Sequence, residues 1–467
     1  MSSRISLPSS AAVSRWGLTA AVFACACQPN DSKHGIFELE AALAPAVNTV
    51  VELEWSSYQP GRSWVEYSVD GGPLYSTDTS LDASTFHHMA LVGLPAFAEV
   101  DYEVFTEGTD HLDAESGWIE TAGVPAGIPD LVVTVHQASA MSSEPYLLAA
   151  VAGTESFLLA IDRAGQVLWY RELSNTWPDH MVMSSDVVRG GPDLLLSLTS
   201  RLPETNPGKL ITLDLLGQVV DELDIGWAHH DMVQLPDGGV AVLQHDLRSW
   251  FDPEQGLEVE VIGDAIVEFA PDGSSRQVYS TWDWREPEVH ERFYKPGALE
   301  GDWTHANGLH FDEDSGTYMM SLGYVNTVLQ VSAASGELVR EFGGEGYRVV
   351  QGEPFVFQHD PNWTEDGTLL MSSSIGESHR VMAIEYALDD LDESLSERWS
   401  FGKDEAFESM AGGQAFRLDN GNTLLNTGYR GLLVEVSPEG EPVWELSSQM
   451  GGVFISVVFF EDFYGSG

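Results

Sequence analysis

Three histidines share one position relative to a turn. In "HDMVQLPDG", His230 stands seven residues before Asp237 of an Asp-Gly turn, and in "HDPNWTEDG" His359 stands seven before Asp366. His305, in "WTHANGLHFDEDSG", holds the matching region with about two extra residues before the glycine. Each has a short polar neighbour in Asp231, Asn307 or Asp360, and His229 doubles the first. A lone histidine is usually a satisfied structural residue; three at one phase call for a shared destination. Converging imidazoles suit three chemistries. One is a metal site with three histidine ligands, as zinc hydrolases use. Another is a pocket for phosphate or sulfate. The third is a histidine nucleophile that accepts a transferable group while the other imidazoles and Asn307 stabilise oxyanions.

The elements that would bring them together repeat along the chain. A Gly turn between two strands recurs as "IDRAGQVLWY", "LDLLGQVVDEL", "FAPDGSSRQVY", "VSAASGELVREF" and "VSPEGEPVWEL". A sixth copy, "IEYALDDLDESLSERWSF", has a longer acidic connection. Units of four short strands at a spacing of about 50–60 residues predict an all-β chain built on a six-bladed β-propeller over residues 126–467. The innermost strand of every blade lines the central channel, so equivalent repeat positions meet on the axis. At the histidine phase two other units carry Ser184 and Ser185, and Gly412 and Gly413. The apolar tail "GGVFISVVFFEDFYG" is expected to complete a blade with a segment from the start, closing the ring. Trp227, Trp303, Trp363 and Phe357 lie near the motifs and are read as core.

Residues 37–125 have another pattern, with short alternating strands such as "TVVELEWSS", "SWVEYSVDG" and "VDYEVFTEG". The stretch "HHMALVGLPAFAEVDYEVF" resembles the end of a fibronectin type III or related immunoglobulin-like β-sandwich, with Tyr102 as the corner tyrosine. His87 and His88 are read as a solvated strand face.

The chain has 73 acidic and 21 basic residues, a net charge near −52. That excludes nucleic-acid binding, which needs clustered cations to displace counterions, and electrostatic adhesion to anionic lipid. No Ca²⁺-loop pattern D-x-[DN]-x-[DN]-G is present. Residues 1–27 read as a lipoprotein-type signal peptide: Arg4 and Arg15, then the short apolar run "WGLTAAVFACA". Cys27 or Cys25 is the expected lipidation site, and residues 28–36 form a polar tether. The expectation is an exported bacterial lipoprotein, periplasmic or at the cell surface, anchored in the outer membrane and touching it only through its lipid.

On this background the sequence resembles the bacterial arylsulfate sulfotransferases, which are PAPS-independent. The stretches that carry the likeness are "AHHDMVQLPDGG", "GDWTHANGLHF", "SLGYVNTVLQVSAASGELV", "QHDPNWTEDGTLL", "SHRVMAIEYALDD" and "QAFRLDNGNTLLNTGYRGLLVEVSPEGEPVW". The resemblance implies that His359 takes the sulfuryl group from an aryl sulfate and passes it to a phenolic acceptor, with no cofactor and no metal. It further implies that His305 and Asn307 contact the sulfuryl oxygens, and that His230, or else His229, is the early-blade histidine. Asp231 and Asp360 are supporting residues, and Asp360 or a backbone carbonyl would fix the tautomer of His359. The sequence departs from the family at one place. In Ser321-Leu322-Gly323-Tyr324-Val325-Asn326, Gly323 stands where the family has arginine. Arg285, Arg292 and Lys295 in "WREPEVHERFYKPG" are candidate substitutes. The alternative function is a catalytically silent surface propeller lipoprotein that binds ligands or partners.

Overall fold

The computed structural model describes residues 34–202, 205–253, 255–287, 301–375, 380–405, 407–409, 412–449 and 451–464. The expected signal peptide and both cysteines lie outside these residues. The chain is all-β. Six sheets of four or five strands follow one another from Leu131 to Phe460 among the described residues. Within each, most strands pair antiparallel with their sequence neighbours.

Each sheet has neighbours on both faces, and this explains the composition of its middle strands. Tyr146–Ala152 (YLLAAVA), Leu194–Ser200 (LLLSLTS) and Thr317–Leu322 (TYMMSL) are buried almost throughout, with no alternation of polar and apolar residues. A strand covered on one face only would alternate. The terminal strands on one side, His180–Val187, Ala228–Gln234, Ala306–Asp312, Val356–Trp363, Gln414–Arg417 and Val453–Phe460, contact one another in succession. The last of these pairs with Tyr146–Ala152, so the C-terminal tail joins the first sheet, as expected. Conversely, Leu131–His136 adds an outer strand to the last sheet. These two exchanges tie the beginning of the array to its end.

The N-terminal unit is built around one long bent strand, Val47–Val69. Its first half pairs with Ile36–Ala44 and Ser84–Leu91, its second half with Leu74–Ser76 and Glu99–Glu107. The register slips between Ser56 and Gly61 where the strand changes sheets. A Cβ at Gly61 would lie 2.8 Å from the carbonyl oxygen of Glu107, so this crossing needs glycine. Ile36, expected in the tether, already belongs to the first strand. His87 corrects another expectation. It is buried, stacks on Trp55 at 5.1 Å and bonds to Ser57, while its neighbour His88 faces outward near Glu52. Ala44, Val47, Val50 and Val92 share a core with Trp169 and Phe454, so the two units meet along an apolar seam.

Candidate functional site

The repeat phase delivers the three histidines to consecutive inner strands. His230 lies in Ala228–Gln234, His305 immediately before Ala306–Asp312, and His359 in Val356–Trp363. Every one of these strands is bulged at the histidine. His229 pairs with Leu243 but the next pair is Met232 with Val242, so His230 and Asp231 are extra. Asn307 is extra between Ala306 and Gly308. The register shifts on both sides of His359. A bulge bends the strand and re-aims side chains that a regular pleat would send between the sheets. His230, His305, Phe357 and Asp360 have φ of 55°, 54°, 47° and 51°. A non-glycine residue in this left-handed region costs about 1–3 kcal/mol, and such strain collects at functional sites.

The bulged residues line one cavity of about 340 Å³. His230, Asp231, His305, Asn307, His359 and Asp360 all reach it, with Met183 and Ile455 from the inner strands of the first two sheets. The His230 and His305 rings meet edge to face at 4.8 Å. Asn307 Nδ2 is 3.2 Å from His359 Nε2. His229 does not line the cavity; it sits behind His230, with the two Nδ1 atoms 2.8 Å apart.

Hydrogen bonds assign the nitrogens. His359 Nδ1 is 3.1 Å from the carbonyl oxygen of Phe357, so Nδ1 carries the proton and Nε2 the lone pair. Of the two expected tautomer-fixing groups, the backbone carbonyl is the one present. Asp360 is corrected to another role. Burial and then the charge of Asp231 push its carboxyl up to about 8, so it is protonated at neutral pH. Burial pushes Asp231 up to about 6, against hydrogen bonds from Leu309, Met232 and Ser184. Burial, then His305, push the His359 imidazole down to about 4, and His230 is driven well below its ordinary value by burial and by His305 and His229. His305 is held differently: its Nδ1 lies 2.6 Å from Asp302 Oδ2, a buried carboxylate that sequence reasoning passed over.

The segment carrying His359 is locked to the preceding sheet. Asn326 Oδ1 accepts from Phe357 N at 2.8 Å. Gln358, fully buried, donates to the Thr327 carbonyl at 2.9 Å and lies 3.1 Å from Ser321 Oγ, which donates back to the Gln358 carbonyl. Gln358→Leu leaves these acceptors unpaired. It is expected to lower unfolding free energy by about 1–3 kcal/mol in urea titration, with an unchanged m-value.

Aromatic rings back the histidines, and Phe357 lines the cavity itself. Tyr324 stacks on His305 at 4.2 Å and 8°, and Phe357 lies at 5.9 Å from the same imidazole. Of the four aromatic residues read as core, Phe357 instead lines the cavity. Trp303 is fully buried, Trp227 meets His245 edge-on, and Trp363 faces a second, larger cavity of about 800 Å³. Asp231 and Asp360 border both cavities.

Residues 132–346 match the family model described as Arylsulfotransferase (ASST). Over these residues, somewhat under half of its length, the chain is similar to the arylsulfotransferase family. The match spans His230, His305 and Asn307 and stops short of His359. No curated protein matches the chain. Among solved structures it is similar to a protein of unknown function from Bacteroides caccae, at 15% identity and TM-score 0.44, covering 68% of this chain and 98% of that one. It is also similar to the periplasmic gluconolactonase of Pseudomonas aeruginosa (13%, TM-score 0.36, 67% and 98%). A third is the β-propeller domain of Cps50 from Myceliophteria thermophila (13%, TM-score 0.30, 68% and 100%).

At Gly323, where the sequence departs from the expected motif, the structure leaves little room. A Cβ on Gly323 would lie 2.5 Å from Asn307 Nδ2 and 3.1 Å from the Phe357 ring. Asn307 and Phe357 therefore fill the space that an arginine side chain at 323 would cross. Arg285 does not replace it: its guanidinium lies over Trp284 at 3.7 Å and pairs with Glu341 at 2.8 Å. Arg292 and Lys295 lie outside the described residues. Among the described lining residues, the cation is Arg201 at the rim, which carried no motif in the sequence.

Proposed function

We propose that this protein moves a sulfuryl group from an aryl sulfate to a phenolic acceptor through a sulfohistidine on His359. The proposal takes the six sheets as blades of a propeller and the N-terminal unit as a fibronectin III-like sandwich, on an exported protein lipidated at Cys27 or Cys25. The observation that carries it is the setting of His359: Nδ1–H is fixed on a backbone carbonyl, Nε2 faces Asn307, and His230 and His305 line the same small cavity. The depressed imidazole keeps Nε2 unprotonated throughout the neutral range.

In the first step the Nε2 lone pair attacks sulfur in line, the N–S bond forms and the S–O bond to the aryl group breaks. The proton stays on Nδ1, hydrogen-bonded to the Phe357 carbonyl oxygen, and the new positive charge spreads over the ring. Asn307 Nδ2 donates to the sulfuryl oxygens, and so does His305 in its imidazolium form, in which Nδ1–H is held by the Asp302 carboxylate and Nε2–H is free to donate. One such preorganised donor contributes on the order of 10²–10³-fold. His230, an uncharged imidazole, donates a hydrogen bond to the oxygen of the departing phenolate, which takes its proton from solvent; in the second step the acceptor phenol attacks sulfur, its proton goes to solvent and the N–S bond breaks. Phe357, which lines the cavity, offers flat apolar surface to an aromatic ring. Arg201 at the rim favours an anionic substrate in spite of the acidic exterior, since charges are screened over about 8 Å at physiological salt.

The test is peptide mass spectrometry after brief incubation with p-nitrophenyl sulfate, under alkaline handling that preserves a phosphoramidate-like N–S bond. The expected result is one added SO₃ group on His359. An adduct on another residue, or none while phenol is turned over, overturns the assignment. Gly323 favours a second reading, a propeller that binds aryl sulfates without turnover; binding with no release of nitrophenol would decide for it. Gly323→Arg does not separate the two, because its side chain displaces Asn307.

A further inference from the structure

Behind the cavity, one sheet gathers a second cluster that sulfuryl transfer does not use. His229 lies on the inner strand Ala228–Gln234, His245 on Val240–Asp252 and Asp264 on Leu257–Phe269. His245 and Asp264 are direct cross-strand partners, and His229 pairs one strand further in, with Leu243. Asp264 Oδ1 lies 3.0 Å from His229 Nε2 and 3.4 Å from His245 Nδ1. These three atoms are buried, and none has a well-directed hydrogen bond. The orphaned oxygen is not a matter of a mobile carboxylate. Asp264 Oδ2 accepts from Thr304 Oγ1 at 2.5 Å and from Ala306 N at 2.7 Å, which pins the group and turns Oδ1 toward the two imidazoles.

Burying three polar atoms without partners is costly, at about 1–3 kcal/mol each. A single cation among them would satisfy all three. We propose that His229 Nε2, His245 Nδ1 and Asp264 Oδ1 form a binding site for one divalent transition-metal ion of the zinc class. Zinc–nitrogen bonds of about 2.0–2.1 Å place tetrahedral ligand atoms roughly 3.3 Å apart, and the observed 3.0 and 3.4 Å bracket that edge. Two imidazoles and one carboxylate form a borderline donor set that suits zinc or cobalt better than calcium or magnesium, which prefer oxygen. The His229 and His245 rings lie face to face at 3.8 Å and 10°, so binding turns one ring about its Cβ–Cγ bond to aim its lone pair.

The site has an outer shell that leads to the cavity. With Nε2 on the metal, His229 keeps its proton on Nδ1, 2.8 Å from His230 Nδ1. His230 Nδ1 must then accept, which leaves its Nε2 as the protonated nitrogen. Metal-bound histidines are commonly oriented through their second nitrogen in this way. Here the arrangement presets the imidazole that faces the cavity as a hydrogen-bond donor. This consequence rests on the sulfuryl-transfer reading; the metal site itself does not, and its test involves no turnover.

The experiment uses the full chain, stripped with a chelator, incubated with excess Zn²⁺ or Co²⁺ and gel-filtered. One metal ion per chain by elemental analysis is expected, with visible d–d absorption of tetrahedral strength for the Co²⁺ form. His245→Gln and Asp264→Asn should each lose the ion. His111→Gln, in the exposed group His34, Asp110 and His111, should keep it. Should either ligand variant fail to fold, thermal unfolding of the stripped wild type decides: a rise in midpoint with Zn²⁺ and none with Mg²⁺ is expected. Substoichiometric metal in the wild type with no midpoint shift overturns the site, and so does full retention in both folded ligand variants.

Discussion

His359→Ala is expected to lower transfer from p-nitrophenyl sulfate to phenol by on the order of 10⁴–10⁶-fold, because in the proposed mechanism it removes the atom that bonds to sulfur. The magnitude separates this residue from its neighbours. Asn307→Ala removes one donor to the sulfuryl oxygens and should cost on the order of 10²–10³-fold. His230→Ala removes a hydrogen-bond donor to the leaving oxygen and should cost on the order of 10²–10³-fold, with the smaller loss for aryl sulfates whose phenolate leaves readily. That dependence on the leaving group is what a merely structural role would not produce. His359 is buried but makes no more than two side-chain hydrogen bonds, to Phe357 and Asn307, so its variant should remain folded by thermal unfolding. Equal nitrophenol release by wild type and His359→Ala would remove His359 from the chemistry altogether.

Stability should fall between pH 6.5 and pH 8, a window in which ordinary surface carboxylates are already ionised in both states and contribute no change. The buried imidazoles and the buried carboxyls have opposite signs. His229 and His359 are pushed down to about 4 by burial, with His245 and His305 adding to it. Between pH 4 and 6.5 the unfolded chain binds the protons these residues refuse when folded, so stability rises with pH and the effect is complete above 6.5. Asp231 and Asp360 are raised to about 6 and about 8, first by burial. From about pH 4 up to those values the folded chain keeps protons that the unfolded one has released, so stability falls with pH. The two sets offset each other in acid. Above pH 6.5 Asp360, raised to about 8, contributes the most, at up to about 1.4 kcal/mol per pH unit, or about 2 kcal/mol by pH 8. Asp360→Asn removes this titration and should flatten the profile across that window. Urea titrations at pH 6.5 and 8 check it; a variant that still loses stability as the wild type does would show that Asp360 is not the group that titrates.

The pairing of imidazole nucleophile and protonated carboxyl also bears on function. A cavity whose floor carried two ionised carboxylates would repel a sulfate ester at short range, where screening is weak. Burial that keeps Asp360 neutral removes one of those charges without removing the side chain. The left-handed φ at Asp360 and Phe357 fixes both flanks of the histidine, and the strain is held by Gln358 and Asn326 reaching into the neighbouring sheet. Position, tautomer and charge of His359 are thus set by three different sheet-edge devices.

The sequence alone determined the repeat, the all-β class, and the convergence of His230, His305 and His359, because a period of turns fixes which residues share an inner strand. It also picked out Asn307, Asp231 and Asp360 as neighbours of the site, and predicted that the C-terminal tail joins a strand near the start. What it did not contain was the direction of those side chains. A regular pleat would have pointed alternate residues between the sheets; bulges at 230–231, 307 and around 359 decided otherwise, and a bulge depends on pairing with a strand elsewhere in the chain. Partners that act across strands were equally hidden. Asp302 beside His305, Gln358 beneath His359, and Asp264 between His229 and His245 become neighbours only through register and sheet contact. The charge state of Asp360 was invisible for the same reason, since a carboxyl's affinity for its proton follows from how completely water is excluded around it, and that is a property of the packed molecule.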